Sequence, residues 1–382
     1  MFSSFGDFIM TLSPNRIKID LSSLVYNLNQ VKNLVAPGIK IMGIVKSDAY
    51  GHGILEISRV LESHGVDFLG VAHIQEALEL RNGGIQAPIA ILCGIRSGED
   101  AREVVEKGLT PTVFDYKTME LLNREADRKR KRVNIHLKVD TGMGRLGLFH
   151  EDTVIFMQKI REYPGLRLEA LMSHLSSADE QDKNFTRDQI QKFQHIIDAG
   201  RALGFDLSLN HLANSAGIMA HKESHFNMVR AGIMLYGGLP STDFESPIPL
   251  KPVMSLEGEI MQIRELSDRT PVSYGRTYYT KGRKKIAVVS AGYGDGYPRC
   301  LSNRGKILIG GRRVNIVGTI CMNMFMCDIT GMEDVQPGDE VMLLGSQKDE
   351  AITGDNLAEW SDTISYEIFC SIGQVNSREY IR

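Results

Sequence analysis

Ile44-Val45-Lys46-Ser47-Asp48-Ala49-Tyr50-Gly51-His52-Gly53 is the stretch on which the reading of this chain turns. An apolar, β-type run from Ile39 ends in Lys46, and a glycine-containing loop follows at once. A lysine held there is partly desolvated, which lowers its pKa and frees its amine to condense with an aldehyde. Taken alone, a strand-end lysine is more often a salt-bridge partner on a rim, so its chemistry depends on what surrounds it.

Working outward, residues from about Asn15 to Gly238 alternate short β-type runs with longer amphipathic stretches. The expected strands are Ile39 to Lys46, Phe68 to Ala72, Ile89 to Cys93, Leu109 to Phe114, Asn134 to Asp140, Leu168 to His174, Ser208 to Asn214 and Met228 to Leu235. Helical spacing predicts Ile54 to Ser63, Ile74 to Asn82, Thr118 to Lys129 and Asp188 to Leu203. Eight strands alternating with helices is the count of a (β/α)₈ TIM barrel, and an open doubly wound sheet is the competing arrangement. The barrel is favoured because Lys46, Asp140, His174 and Asn214 all fall at C-terminal strand ends, the rim that carries chemistry in barrels. After Pro247 the texture changes to short β-rich runs, at Met254 to Ile263, Lys285 to Ser290, Lys306 to Ile309, Asn315 to Ile320 and Glu340 to Leu344. Together these predict an α/β fold in three parts. An N-terminal extension (1–14) and a barrel domain (15–245) precede a mostly-β C-terminal domain (246–382), with Ser241 to Pro252 as the linker.

Composition narrows the function. The chain has 382 residues, of which 42% are hydrophobic and 24% charged, with a formal net charge of -3. That balance suits a globular protein with a small-molecule role and gives no footprint for nucleic acid or an anionic membrane. Cys93, Cys300, Cys321, Cys327 and Cys370 are scattered, which argues against a disulfide framework or a metal site and for a reducing, cytoplasmic setting. No apolar run approaches the length of a membrane helix, and the opening ten residues lack the basic start of a signal peptide.

Further motifs stand in a fixed order. They are Lys138-Val139-Asp140-Thr141-Gly142-Met143-Gly144-Arg145-Leu146-Gly147, Ser173-His174-Leu175 running to Ala178-Asp179, and His211-Leu212-Ala213-Asn214-Ser215-Ala216. Val229-Arg230-Ala231-Gly232-Ile233, Val272-Ser273-Tyr274-Gly275, Gly292-Tyr293-Gly294-Asp295-Gly296-Tyr297-Pro298-Arg299, Cys321-Met322 and Ile364-Ser365-Tyr366-Glu367-Ile368 follow. In this order the motifs resemble the alanine racemase family over about Ile17 to Arg382, nearly the whole chain.

That resemblance implies a homodimer with shared active sites, a barrel that binds pyridoxal 5′-phosphate, and a C-terminal β domain. The implied activity is interconversion of L-alanine and D-alanine through an external aldimine, supplying D-alanine for peptidoglycan. Lys46 then carries the cofactor and serves as base on one face of the α-carbon, while Tyr274 of the second subunit serves the other, because one group cannot reach both. Ser215 and the N–H groups of Gly232 and Ile233 bind the phosphate, with Tyr50 and Tyr366 completing its shell. Arg230 faces the pyridine nitrogen without giving it a full proton, which restrains the ring as an electron sink. Arg145 contacts the phenolic oxygen and the substrate carboxylate, and His174 lies beside the cofactor. Lys138 resembles a lysine often carbamylated in the family, which would make it an anion that holds Arg145. Met322 binds the substrate carboxylate through its N–H, and Tyr293 and Arg299 line the approach. Read without the family, Ser215 is an N-cap, Tyr274 a strand residue and Lys138 a solvated strand end.

One position departs from the pattern: Asn323 stands where the family commonly has Asp, removing a negative charge near the substrate entrance. Three other readings compete with alanine racemization. One is a broad-specificity or serine-preferring racemase of the same fold. A decarboxylase on this barrel would prefer an acidic partner for the ring nitrogen, which Arg230 argues against. A cofactor-binding protein without activity would need neither the last third of the chain nor Tyr274.

Overall fold

The computed structural model describes residues 15–382, so the extension expected at 1–14 lies outside the described residues. Two compact units result, Leu21–Lys251 and, apart from it, residues 15–20 with Pro252–Arg382. This differs from the expected division at 245/246. The boundary falls where the proline-rich stretch ends, and the first strand, Arg16–Asp20, leaves the barrel for the β unit. Pairing is the reason: that strand runs antiparallel to Met254–Leu266 and parallel to Arg378–Ile381. Its alternating Ile17 and Ile19 are fully buried, as one face of a half-covered strand should be.

Leu21–Lys251 is a (β/α)₈ barrel. Lys40–Ile44, Phe68–Val71, Ile89–Ile91, Thr110–Val113, Val133–Asp140 and Leu166–Met172 pair in parallel in that order. Met228–Ala231 pairs with Lys40–Ile44 to complete the circle. The seventh position is not the strand expected over Ser208 to Asn214. It shrinks to His211, which bridges Met172 on one side and Met228 on the other. Asn210 replaces the lost ladder with its side chain: Oδ1 accepts the Leu171 N–H at 2.9 Å, and Nδ2 donates to the Leu207 carbonyl at 2.9 Å. The eighth run likewise ends at Ala231, after which Ile233–Tyr236 coils into a 3₁₀ turn.

The outer helices follow their apolar spacing. Ile54–Ser63 and Ile74–Asn82 form over the predicted residues. Tyr116–Lys129 begins two residues earlier than expected because Asp115 caps it, accepting from the Thr118 N–H at 2.7 Å. Asn184–Ala202 also starts early, with Phe193, Ile196 and Ile197 on its buried face.

In the β unit, the nine-stranded sheet runs Arg312–Asn315, Lys306–Ile309, Glu340–Gln347, Met254–Leu266, Arg16–Asp20 and Arg378–Ile381, with side branches from this path. The main branch carries Lys284–Val289 and Phe325–Asp328 off the long strand Met254–Leu266. The strand expected over Asn315 to Ile320 is instead Arg312–Asn315. Past it only Ile316 makes a bridge, to Cys327, because the chain turns at Gly318 with φ +79°. Two helices close the unit, Gly354–Ser361 and Ser365–Val375, so its last thirty residues are not β-rich. Among the described residues no helix is long and apolar enough to cross a membrane, and no group of three His, Cys, Asp or Glu is placed to hold a metal ion.

Asn210→Ala is expected to destabilise the barrel by about 2–3 kcal/mol, because it strands the buried Leu171 N–H and removes two further bonds. The urea midpoint of barrel unfolding, followed by far-ultraviolet circular dichroism, measures this; a change within experimental error would refute the substitute-ladder role.

Candidate active site

Lys46 closes the first barrel strand, and the backbone after it takes an unusual path. Ser47, Asp48, Ala49 and Tyr50 all lie in the left-handed helical region, with φ between +53° and +54°. Each such residue costs roughly 1–2 kcal/mol relative to the right-handed form, so the turn persists only if its surroundings hold it. They do. Glu76 accepts the Ser47 N–H at 2.5 Å through Oε1 and the Ala72 N–H at 2.7 Å through Oε2. Asp48 accepts the Ile54 N–H at 2.7 Å, and His52 donates from Nδ1 to the Ala49 and Tyr50 carbonyls, 3.0 Å each. The turn brings Tyr50 back into the barrel, where its ring lies 4.9 Å from that of Tyr236. Tyr236 in turn donates to the Ile44 carbonyl at 2.8 Å.

Around Lys46 the barrel gathers positive charge. Burial lowers the Lys46 pKa, and the Arg145 cation lowers it further. Lys138 is driven down more strongly, by burial and then by Arg230 and Arg145, and at 5% exposure it is no solvated strand end. Arg145 sits on a loop shaped by Asp140, which accepts N–H bonds from Gly142 at 2.9 Å, Met143 at 2.8 Å and Arg145 at 3.2 Å. Burial pushes the Asp140 pKa up, but these donors outweigh it and hold the carboxylate low.

Arg230, at 3% exposure, is the most heavily bonded of the group. One terminal nitrogen, Nη1, donates to His211 Nδ1 at 2.9 Å and to the His211 carbonyl at 3.0 Å. The other, Nη2, reaches the carbonyls of Ser173 at 2.8 Å and Leu212 at 2.9 Å, and His174 Nδ1 at 2.9 Å. Its Nε–H has no acceptor among the described residues. Burial and Arg145 bring its pKa down to about 9, so the guanidinium is still charged at neutral pH and remains a donor. Both imidazoles therefore accept through Nδ1. Burial, with Arg230 among the neighbouring charges, holds the pKa of each well below the usual histidine range.

Beside this group lies a small polar cradle. Ser215 Oγ accepts the Gly232 N–H at 3.1 Å and the Met234 N–H at 3.4 Å. A Cβ on Gly232 would stand 2.9 Å from the Tyr50 hydroxyl and 3.7 Å from Ser215 Oγ, so glycine keeps open the space on which these hydroxyls converge. The loop N–H groups, the two hydroxyls, the cations and the unpartnered Arg230 Nε–H fit an anionic ligand that also offers a hydrogen-bond acceptor.

Comparison with known proteins identifies the family. Residues 19–240 match the family model described as alanine racemase, N-terminal domain, and residues 253–380 match alanine racemase, C-terminal domain. The chain belongs to the alanine racemase family. It is 42% identical to the alanine racemase of Halothermothrix orenii over 96% of this chain and 97% of that protein. Among solved structures, alanine racemase from Clostridium difficile 630 superposes with a TM-score of 0.88 at 36% identity, covering 96% of each chain. One from Bartonella henselae, described with covalently bound pyridoxal phosphate, superposes with a TM-score of 0.87 at 29% identity, over 96% of this chain and 99% of that one.

Lys46, Tyr50, Lys138, Arg145, His174, Ser215, Arg230, Gly232 and Ile233 all lie in the barrel unit. Tyr274, Tyr293, Arg299, Met322 and Tyr366 lie in the β unit. There the Tyr293 N–H donates to the Cys321 carbonyl at 3.1 Å and the Gly294 N–H to the Met322 carbonyl at 2.7 Å, which brings Tyr293 beside Cys321-Met322. Tyr274 begins a 3₁₀ turn after Ser273, whose φ of +63° is rare for a residue with a side chain. Ser273 Oγ holds the turn by donating to the Thr319 carbonyl at 2.5 Å, and Tyr274 is left 72% exposed. Tyr366 lies in the first turn of the helix Ser365–Val375, and Arg299 starts a short 3₁₀ turn. The departure at Asn323 has a structural counterpart. Its Nδ2 donates to Asp295 Oδ2 at 3.3 Å, whereas an aspartate would set two carboxylates together.

Sequence reading missed the roles of Glu76, which anchors the left-handed turn, and of His211, which holds Arg230. It also missed His136, whose ring packs edge-on against His211 with centroids 4.9 Å apart. For His136 a signal existed: it stands two residues before Lys138 on one strand, hence on the same face.

Removing the Arg145 charge should raise the Lys46 pKa, since a neighbouring cation disfavours the ammonium form. In cofactor-stripped protein, the pH midpoint for modification of Lys46 by an acylating reagent should lie below 10.5 and move upward in Arg145→Gln. A midpoint that stays put would show that burial alone sets it.

Proposed function

We propose that this chain interconverts L-alanine and D-alanine, with pyridoxal 5′-phosphate carried on Lys46 and a proton donor-acceptor on each side of the substrate α-carbon. The observation that supports it best is the barrel mouth. A depressed-pKa amine, a buried guanidinium with one unpartnered N–H, and a hydroxyl cradle kept open by glycine stand together at the rim where barrel enzymes act. When bound, the cofactor supplies an electron-withdrawing ring that makes the α-proton of the substrate removable.

The protein's own residues do the rest. Ser215, the Gly232 and Ile233 N–H groups, Tyr50 and Tyr366 would hold the phosphate. Arg230 would direct its Nε–H at the ring nitrogen, and His174 would keep that guanidinium in place. Arg145 would bind the phenolic oxygen and the substrate carboxylate, with the Met322 N–H as second donor to that carboxylate. Lys46, its amine released by the incoming substrate, takes a proton from or returns one to one face. Tyr274 does the same on the other. Tyr293 and Arg299 line the approach and favour a small side chain. The buried Lys138 amine suits addition to carbon dioxide: its lone pair forms the N–C bond, one N–H proton is released, and the resulting carbamate faces Arg145 as an anion.

The family resemblance brings Tyr274 from a second copy of the chain, which makes the active protein a homodimer with shared sites. Tyr274 on its strained turn, together with exposed Met322 and Met324, supports that reading, since large exposed apolar side chains mark contact surfaces. Cytoplasmic residence and supply of D-alanine to peptidoglycan belong to the same proposal. No disulfide joins the five cysteines, which supports a reducing compartment.

Borohydride should fix the cofactor irreversibly to the Lys46 peptide, detected by mass spectrometry, and Lys46→Ala should lose both the adduct and racemization. An active Lys46→Ala enzyme would refute the assignment. Tyr274→Phe should slow α-proton exchange from one enantiomer much more than from the other; equal losses contradict bases on opposite faces. Lys46→Ala and Tyr274→Phe chains mixed one to one should recover about a quarter of wild-type activity, because half the dimers are mixed and each holds one intact site. No recovery from verified mixed dimers rules out shared sites.

A further inference from the structure

A polar column runs down the inside of the barrel, away from the mouth. Asn134, His136, Lys138 and Asp140 alternate along Val133–Asp140 and so share a face. Arg230 donates to His211 Nδ1, which leaves His211 with its proton on Nε2. That nitrogen lies 3.1 Å from His136 Nδ1, so it donates, and His136 must likewise carry its proton on Nε2. His136 Nε2 faces Glu169 Oε2 at 3.4 Å. Both atoms are fully buried, and neither makes a hydrogen bond to the other or to any other described residue. The second oxygen of Glu169 accepts from Asn134 Nδ2 at 2.8 Å.

Backbone register gives an independent reason to single out Glu169. Between Val133–Asp140 and Leu166–Met172, Ile135 pairs with Leu168 and His136 with Ala170, so Glu169 is the extra residue of a β-bulge. Bulges re-aim a side chain and recur near active sites. Without this one, the carboxylate would follow the regular alternation of its strand rather than meet His136. A bare carboxylate inside a barrel is expensive unless a partner offsets it, and here the nearest polar group is the last N–H of a chain that starts at the guanidinium.

We propose that Glu169 and His136 are positioning residues for the racemase site. Glu169 fixes His136 in the Nε2–H form, His136 fixes His211, and His211 fixes the guanidinium of Arg230 and the direction of its free Nε–H. The carboxylate also places a partly buried negative charge two imidazoles away from the cationic mouth. This rests on the racemase reading above for its effect on catalysis. The tautomers themselves do not depend on that reading.

Nitrogen-15 NMR of histidine-labelled holoenzyme tests it, with signals assigned through single histidine substitutions. His136 and His211 are expected as neutral Nε2–H tautomers in the wild type. Finding either as Nδ1–H overturns the proposal, whether or not the enzyme racemizes alanine. In Glu169→Leu, His136 is expected to hold its Nε2–H tautomer less exclusively. The kcat should then fall about tenfold, as supporting-residue losses commonly do, with KM within about twofold and borohydride-fixed cofactor stoichiometric. Glu169→Gln, whose side-chain carbonyl still accepts from Nε2–H, should recover most of the loss. If the leucine variant leaves tautomer and kcat unchanged, or glutamine is no better than leucine, the proposal fails. If the leucine variant does not fold, the wild-type tautomers still decide it.

Discussion

The Arg230 guanidinium ties the barrel together where its strand ladder is weakest. The seventh strand is reduced to a bridge at His211, and Arg230 spans the gap by donating to the carbonyls of Ser173, His211 and Leu212. The same group holds the rings of His174 and His211 through their Nδ1 atoms. Closure of the fold and orientation of the site are thus one interaction. A lysine could not replace it, because a point cation lacks the planar fork that reaches several acceptors at once.

Concentrating Lys46, Lys138, Arg145 and Arg230 at one barrel end runs against Coulomb repulsion, which grows as water is excluded. The structure answers in two ways. Lysine amines can lose a proton, and those of Lys46 and Lys138 are lowered toward doing so. Arginine does not release its proton so readily, so Arg230 is surrounded by neutral acceptors instead. Histidines that would add further positive charge are kept neutral by burial and by the donors facing them. The result is a site that attracts anions and holds an amine whose pKa is lowered, the combination the proposed chemistry requires.

Much of this could be read in advance from particular residues. The alternation of apolar runs identified the barrel strands, and the order of motifs from Lys46 to Tyr366 identified the family. The shape of the loop after Lys46 could not be read. Ser47 to Tyr50 look like ordinary helix or loop residues, and only Glu76, Asp48 and His52 acting from elsewhere hold them left-handed. Nor could the β-bulge at Glu169, since one extra residue in a strand leaves no mark in an apolar pattern. The assignment of Arg16–Asp20 to the β unit was hidden for a related reason. Which sheet an alternating strand joins depends on partners more than two hundred residues away.

By itself, then, the sequence determined the fold class and the family and put forward the side chains proposed for the site, because periodicity and residue chemistry are local properties of the chain. Tertiary structure alone decided the electrostatic state of that site. It paired Arg230 with two imidazoles, selected their tautomers, buried Lys138 and aimed Glu169 inward. Protonation and orientation follow from which groups are brought within a few ångströms of one another and how much water is removed, and neither quantity exists until the chain has folded.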